Sequence, residues 1–276
     1  MVTVGLHDGG IEMTQSINGF PITRTPAMTA GVPTVLLIHG FLDNASVWDD
    51  LVECLGGEIG AVRYDLPGFG ARSGSTGEAR DATLESLAAE AADVVQGIDG
   101  PMIVVGQSLG TQVAELVAAQ HPYRVRGLVL LTPVPLGGTR LPDEVVAPFR
   151  ALAGDRAAQR GARAELSPYL SEEQLDHLAD IGAPVAADVV SHYVDVWNGG
   201  LSNGPAKSAF GGPVLIIRGG ADAFVTEQLV NTVSPRFLEA EVTVIDKGGH
   251  WVHVEYPGAV AAMILDFADA IAGVAP

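Results

Sequence analysis

Cysteine and lysine are scarce in this chain: Cys54 is the sole cysteine, and Lys207 and Lys247 are the two lysines in 276 residues. A single thiol excludes an internal disulfide and any metal site built from several cysteines. Positive charge is scarce as a whole, with 15 basic side chains against 33 carboxylates and a net charge of −18. Nucleic-acid phosphates need a basic surface, so this balance argues against a nucleic-acid partner. It also disfavours an anionic membrane surface and a highly anionic substrate. No apolar run reaches the ~18 residues needed to span a bilayer. The N-terminus has no basic region followed by a long apolar stretch, so no signal peptide is expected and the chain reads as cytoplasmic. No Gly-x-x-x-x-Gly-Lys occurs, which removes a phosphate-binding loop of that type. With 47% hydrophobic and 17% charged residues, a large buried core is expected and disorder is not. Cys54 falls in the apolar helical pattern after Trp48 and is expected to be a buried structural thiol.

What the chain does have is the pentapeptide Gly106-Gln107-Ser108-Leu109-Gly110. It follows the apolar run Pro101–Val105 and opens a helix-like segment, Thr111–Gln120. Gly-x-Ser-x-Gly between a strand and a helix is the pattern of a nucleophile elbow. The turn is so tight that the serine is strained, and side chains at the flanking glycines would collide with the adjoining strand and helix. The hydroxyl is then held at the sheet edge, at the positive end of a helix. The bare pattern is a weak signal; its position at a strand-to-helix junction is what gives it weight.

The rest of the chain supplies the matching rhythm. Residues 1 to 24 read as short strands with turn signals at Gly9-Gly10 and Asn18-Gly19. Apolar strands are expected at Thr34–His39, Gly60–Asp65, Gly127–Leu131, Pro213–Arg218 and Glu241–Asp246. Helical spacing covers Ser46–Leu55, Thr83–Gln96, Gln228–Val233 and Gly258–Ala272. Strands alternating with helices predict a parallel sheet covered on both faces. The rhythm breaks at Pro133. From there to Ala209 four helical stretches are expected, Asp143–Leu152, Asp155–Leu166, Ser171–Ile181 and Ala187–Trp197, with no strand.

A nucleophilic serine needs a base, and the base needs an orienting acid. In the elbow architecture these follow in the order serine, acid, histidine. Asp222 lies on the loop after one expected strand and His250 on the loop after the next, both at the edge where open parallel sheets place their sites. Asp246 and Glu255 compete with Asp222; Asp246 is read as a cap or solvated residue and Glu255 as a structural hydrogen-bond partner of the histidine loop. Acyl transfer also needs oxyanion donors, for which the backbone N–H groups of Leu109 and Phe41 are the candidates. His39 is read as a structural histidine. The His250, His253 and Glu255 spacing fits no known metal geometry, so no metal is expected. Gly68, Gly70 and Gly74 lack dinucleotide-loop spacing and read as a mobile loop bordering the site.

Together these motifs resemble the α/β-hydrolase fold, in its capped form that includes small bacterial esterases. The resemblance runs through His39-Gly40-Phe41, Trp48 with Leu51, Asp65-Leu66-Pro67-Gly68-Phe69-Gly70, the elbow, His121-Pro122, Gly219–Asp222 and Gly249-His250 with Glu255 and Pro257. It implies an eight-stranded, mostly parallel sheet flanked by helices, with a helical cap inserted after the sixth strand. The core domain is then residues 1–135 and 210–276, and the cap residues 136–209. It implies no cofactor for ester hydrolysis. Thr132 occupies the position where some relatives carry the acid, which favours Asp222 further. Ser108 argues against relatives with an aspartate nucleophile, since a hydroxyl cannot form their alkyl-ester intermediate.

The expected function is a serine hydrolase acting on a small neutral or hydrophobic ester or lactone through a Ser108–His250–Asp222 triad. A C–C bond hydrolase or perhydrolase with the same triad is the alternative, and a triad-retaining ligand receptor with little turnover is another. In the insertion, His192, Tyr193 and Trp197 share helical spacing; packing of the cap on the sheet domain is the default reading, and the alternative makes one or two of them substrate-pocket residues, with Phe149 and Tyr169 as weaker candidates. Cap helices offer a surface for a homo-oligomer, but no residue pattern identifies one.

Overall fold

The computed structural model describes residues 3–7, 10–202, 204 and 206–272. The Gly9 side of the first expected turn lies outside the described residues. Three antiparallel strands open the chain: β1 (Thr3–His7), β2 (Gly10–Ile17) and β3 (Phe20–Thr25). Strand β4 (Thr34–Ile38) leads through a 3-10 turn at Ala45–Trp48 into helix α1 (Asp49–Cys54). Strand β5 (Gly60–Tyr64) and the short helix α2 (Thr76–Arg80) precede α3 (Leu84–Gly97). Then come β6 (Met102–Gln107), α4 (Leu109–Gln120) and β7 (Val125–Leu131). The insertion carries α5 (Asp143–Arg150), α6 (Arg156–Leu166), α7 (Glu172–Gly182) and α8 (Ala187–Gly199). The chain closes with β8 (Val214–Gly219), α9 (Glu227–Val233), β9 (Ala240–Ile245), α10 (Val252–Glu255) and α11 (Pro257–Ala272).

The strands form one sheet in the order β1-β2-β3-β5-β4-β6-β7-β8-β9. From β2 onward this is the expected eight-stranded, mostly parallel sheet; β1 extends it at the antiparallel edge. Every pairing from β5 through β4, β6, β7 and β8 to β9 is parallel. Successive side chains of a strand point to opposite faces, and both faces here are covered. Leu36 and Ile38 of β4 join a core with α3 and α4, while Val35 and Leu37 join a second core with α1 and α11. That is why β4 and β6 are buried at every position and read as unbroken apolar runs.

The helix starts follow capping chemistry. Thr83 Oγ1 accepts from the Ser86 N–H, and the Thr83 N–H donates to Ser86 Oγ, closing a capping box on α3. Ser171 and Gln174 do the same for α7. The insertion packs over the carboxyl ends of the strands and is keyed to both cores. Val189, Val190, Tyr193 and Val194 of α8 join the first, and Leu175 and Leu178 of α7 join the second. Among the described residues, no helix is long and apolar enough to cross a membrane.

Two expectations are corrected here. Cys54 is exposed. Helix α1 ends at that residue, and its buried stripe is Leu51 and Val52, continued by Leu55. The glycine-containing stretch after Asp65 is ordered by a buried arginine. Arg72 pairs with Glu90 at 2.7 Å and Glu78 at 3.0 Å, and its guanidinium lies over Phe20. Asp65 accepts from the Ala45 and Ala71 N–H groups, both at 2.7 Å. These tertiary contacts set the stretch as a 3-10 turn, Gly70–Arg72, followed by α2.

Candidate active site

Ser108 sits alone between the end of β6 and the start of α4, with φ 51° and ψ −119°. A non-glycine residue at positive φ is strained, and this is the conformation a nucleophile elbow demands. The flanking glycines are sterically required. A Cβ on Gly106 would lie 2.2 Å from the Gly110 carbonyl oxygen, and one on Gly110 would lie 2.2 Å from the Ile38 carbonyl oxygen. The elbow is therefore clamped between its own helix and the neighbouring strand β4.

Asp222 lies on the loop after β8 and is buried. Its Oδ1 accepts from the Phe224 and Val225 N–H groups at 2.8 and 2.9 Å, and its Oδ2 meets His250 Nδ1 at 2.8 Å. A carboxylate only accepts, so His250 Nδ1 is the donor in this pair, and the tautomer it selects leaves the lone pair of a neutral imidazole on Nε2. His250 is held by its backbone as well. Its carbonyl accepts from Gln107 Nε2 at 3.1 Å and Thr132 Oγ1 at 3.0 Å. Gln107 ends β6 and Thr132 directly follows β7, so the histidine loop is fastened to the sheet beside the elbow. Thr132 itself sits at φ 43°.

The loop after β4 carries Phe41, the second candidate oxyanion donor. Within it, Leu42 adopts φ 61°. Neither the Phe41 N–H nor the Leu109 N–H has an acceptor among the described residues. His39, at the start of this loop, is fully buried. Leu66 N–H donates to its Nε2 at 3.0 Å, so its Nδ1 carries the proton and donates to the Gly40 carbonyl at 2.8 Å. Burial pushes its pKa below the usual histidine range. Neutral and doubly bonded, His39 ties β4 to the Leu66 loop.

Ser108, His250 and Gln107 line one cavity of about 40 Å³. One side is aromatic: Phe41, Phe149, Trp197 and Phe224 line it, and their rings meet in edge-to-face and tilted contacts at 5.6 to 6.5 Å between centroids. The other side is polar: Asp43, Arg163 and Trp251 line it, with Trp251 Nε1 donating to Asp43 Oδ2 at 2.9 Å. Of the three pocket candidates on α8, Trp197 lines the cavity, and His192 and Tyr193 do not. Tyr193 is fully buried against Phe69, its hydroxyl donating to the Pro67 carbonyl at 2.9 Å. His192 Nε2 meets the Ala82 carbonyl at 2.7 Å. Both side chains fasten α8 to the ordered stretch that follows β5. Phe149 lines the cavity and Tyr169 is half exposed outside it.

Asp246 is exposed, away from His250 Nδ1. Glu255 accepts from the Gly249 N–H and, at 3.2 Å, from the Tyr169 N–H. It braces the loop that carries His250. Among the described residues no group of three or more His, Cys, Asp or Glu is placed to hold a metal ion. The sequence reading missed Asp43, Phe224 and Trp251, each within two residues of a candidate, so adjacency was the signal available. Arg163 had none: α6 carries three arginines and their spacing does not say which one turns inward.

A model of the alpha/beta hydrolase family matches residues 35–263. The chain is 32% identical over 251 residues to the lipase LipV of Mycobacterium tuberculosis, covering 85% of this chain and 93% of that protein. It is 28% identical over 242 residues to the pimeloyl-[acyl-carrier protein] methyl ester esterase of Klebsiella pneumoniae, covering 84% and 91%. In fold it is similar to the enol-lactonase of Burkholderia xenovorans, with a TM-score of 0.74 at 18% identity over 93% of this chain and 99% of that one. A strained serine between β6 and α4, a parallel sheet of this strand order and a family match across most of the chain lead to one conclusion: the protein belongs to the alpha/beta hydrolase family.

Proposed function

We propose that the protein hydrolyses a small neutral or hydrophobic carboxylic ester, or a lactone, through an acyl-enzyme on Ser108. The observation that carries this reading is that His250, paired with buried Asp222, lines the same cavity as the strained Ser108. Two relatives named as a lipase and an ester esterase support the hydrolytic class. As Ser108 Oγ attacks the ester carbonyl carbon, His250 Nε2 takes its proton. The carbonyl oxygen becomes an oxyanion, held by the Phe41 and Leu109 N–H groups. The C–O bond then breaks, and His250 returns the proton to the departing alkoxide. Water attacks the acyl-enzyme with His250 again as base, releasing the acid and restoring Ser108. Asp222 fixes the tautomer and stabilises the imidazolium. No cofactor enters. In this reading residues 136–209 are a cap that closes the site, on a core of 1–135 and 210–276.

A fluorophosphonate probe should label Ser108 stoichiometrically, and p-nitrophenyl esters should show a burst of p-nitrophenol before steady state. Turnover without labelling, or labelling at another residue, would overturn the mechanism. No turnover of any ester by folded protein would favour the receptor reading instead.

The cavity also predicts chain-length preference. The free space beside Ser108 is bounded by Phe41, Phe149, Trp197 and Phe224, so a short acyl chain should fit better than a long one unless these rings move. We expect kcat/KM for p-nitrophenyl butyrate to exceed that for the octanoate by about tenfold or more. Trp197→Ala removes a wall of the aromatic side and should move the optimum to longer chains. An unchanged optimum in that variant would place the acyl chain elsewhere.

A further inference from the structure

We infer that the insertion supplies two positioning residues, Arg163 and Ser167, which tie the oxyanion loop to the histidine loop. The inference rests on the proposed ester hydrolysis at Ser108. Arg163 lies in the last turn of α6 and Ser167 is its C-terminal cap, so the two share one face four residues apart. Both are buried, at 2% and 1% exposure, although neither belongs to the apolar core.

Arg163 grips the oxyanion loop. Its Nη2 donates to the Leu42 carbonyl at 2.8 Å and approaches Asp43 Oδ1 at 3.5 Å. Its Nη1 donates to Gln159 Oε1 at 3.1 Å, and its guanidinium lies 5.3 Å over the Trp251 ring. Leu42 sits in the left-handed region, unfavourable for a branched side chain. A conformation of that kind persists only when its surroundings hold it. The hydrogen bond from Arg163 does so one residue after the Phe41 N–H.

Ser167 grips the histidine loop. Its Oγ accepts from the Trp251 N–H at 2.9 Å. It also hydrogen-bonds Glu255, the carboxylate that receives the Gly249 N–H. One residue earlier, the Leu166 carbonyl accepts from the His250 N–H at 2.9 Å. The approach is close: a Cβ on Gly249 would lie 2.3 Å from Ser167 Cα. The peptide units on both sides of His250 are thus held by the end of α6. Trp251 completes the link, with its ring under Arg163 and its Nε1 on Asp43.

One helix end therefore sets the spacing between the base and an oxyanion donor. The insertion is part of the catalytic frame on this side of the cavity. The test uses p-nitrophenyl acetate, too small to depend on the aromatic wall for binding. Ser167→Ala removes a single oxygen and Arg163→Met keeps the stem while removing the donors. Each should lower kcat by about 10- to 100-fold with KM changed less than about threefold, since small misplacements act on the chemical step. The double variant should lose little more than the worse single one, because both act on one unit. The acid limb of the kcat/KM profile should also move in Ser167→Ala, since it reports the base. Glu165→Ala, at an exposed position of α6, is the control and should match wild type. Variants with wild-type unfolding midpoints and kcat within about threefold of wild type, or with the loss confined to KM, would overturn the inference. If Arg163→Met does not fold, Ser167→Ala decides alone. A wild type that turns over no ester overturns the reading beneath it, an outcome distinct from active wild type with unaffected variants.

Discussion

Ser108→Ala should lower kcat for p-nitrophenyl butyrate by about 10⁶-fold, with little change in KM, because the hydroxyl is needed for chemistry and not for binding. Asp222→Asn should cost about 10⁴-fold. The reason is visible in the carboxylate's partners. Phe224 and Val225 N–H groups donate to Oδ1, so an asparagine must place its carbonyl oxygen there. Its NH₂ then faces His250 Nδ1 and donates to it. The imidazole proton is displaced to Nε2, the nitrogen that should receive the Ser108 proton. The variant keeps its fold and shape and loses the tautomer. Because the residues act as one unit, Ser108→Ala/Asp222→Asn should be no worse than Ser108→Ala alone. Steady-state kinetics with thermal melts of each variant make the measurement. An Asp222→Asn enzyme with near-wild-type kcat would remove Asp222 from the mechanism.

The second large effect concerns acid stability. His253 is fully buried, both ring nitrogens lack a hydrogen-bond partner, and its ring stacks on Trp48 with centroids 4.4 Å apart. Burial, with a smaller contribution from His250, pushes its pKa from 6.5 down to about 3. The folded state thus keeps His253 neutral where the unfolded chain would protonate it. Its stabilising contribution is complete above about pH 6.5 and is lost as pH falls from there toward about 3, at up to roughly 1.4 kcal/mol per pH unit. Buried His39, whose pKa is also lowered, acts in the same direction. Between about pH 7 and pH 5 the wild type should lose roughly 2 kcal/mol from His253, a fall of about 4–8 °C in midpoint. His253→Phe keeps the ring on Trp48 and removes the titration. Its midpoint should fall less over the same range. Parallel slopes for the two proteins would show that His253 is not the sensor.

The sequence carried the sheet because parallel strands buried on both faces leave unbroken apolar runs, as in β4 and β6. It carried the candidate Ser108, Asp222 and His250 because each sits at a strand end marked by glycine. The four insertion helices were legible from their spacing and caps. Local pattern failed where a long-range partner decides the outcome. Arg72 turns a glycine-containing stretch into ordered structure by reaching Glu90. Tyr193 and Trp197 lie four residues apart on one face of α8, yet the Pro67 carbonyl engages Tyr193 while Trp197 reaches the cavity. Arg163 is indistinguishable from Arg156 and Arg160 until α6 is laid across the loop that follows β4.

The position of the insertion has a consequence for how activity arises during folding. Ser108 is encoded before it, whereas Asp222 and His250 come after it. Pairing of β7 with β8 must close the loop formed by residues 132–213, and non-local contacts of this kind form slowly because loop-closure entropy precedes their reward. A refolding or nascent chain can therefore complete the elbow and most of its helices while remaining inert. Activity in a refolding time course should lag far-ultraviolet circular dichroism, because the strands that follow the insertion bring both His250, the proposed proton acceptor, and Asp222, its proposed orienting carboxylate.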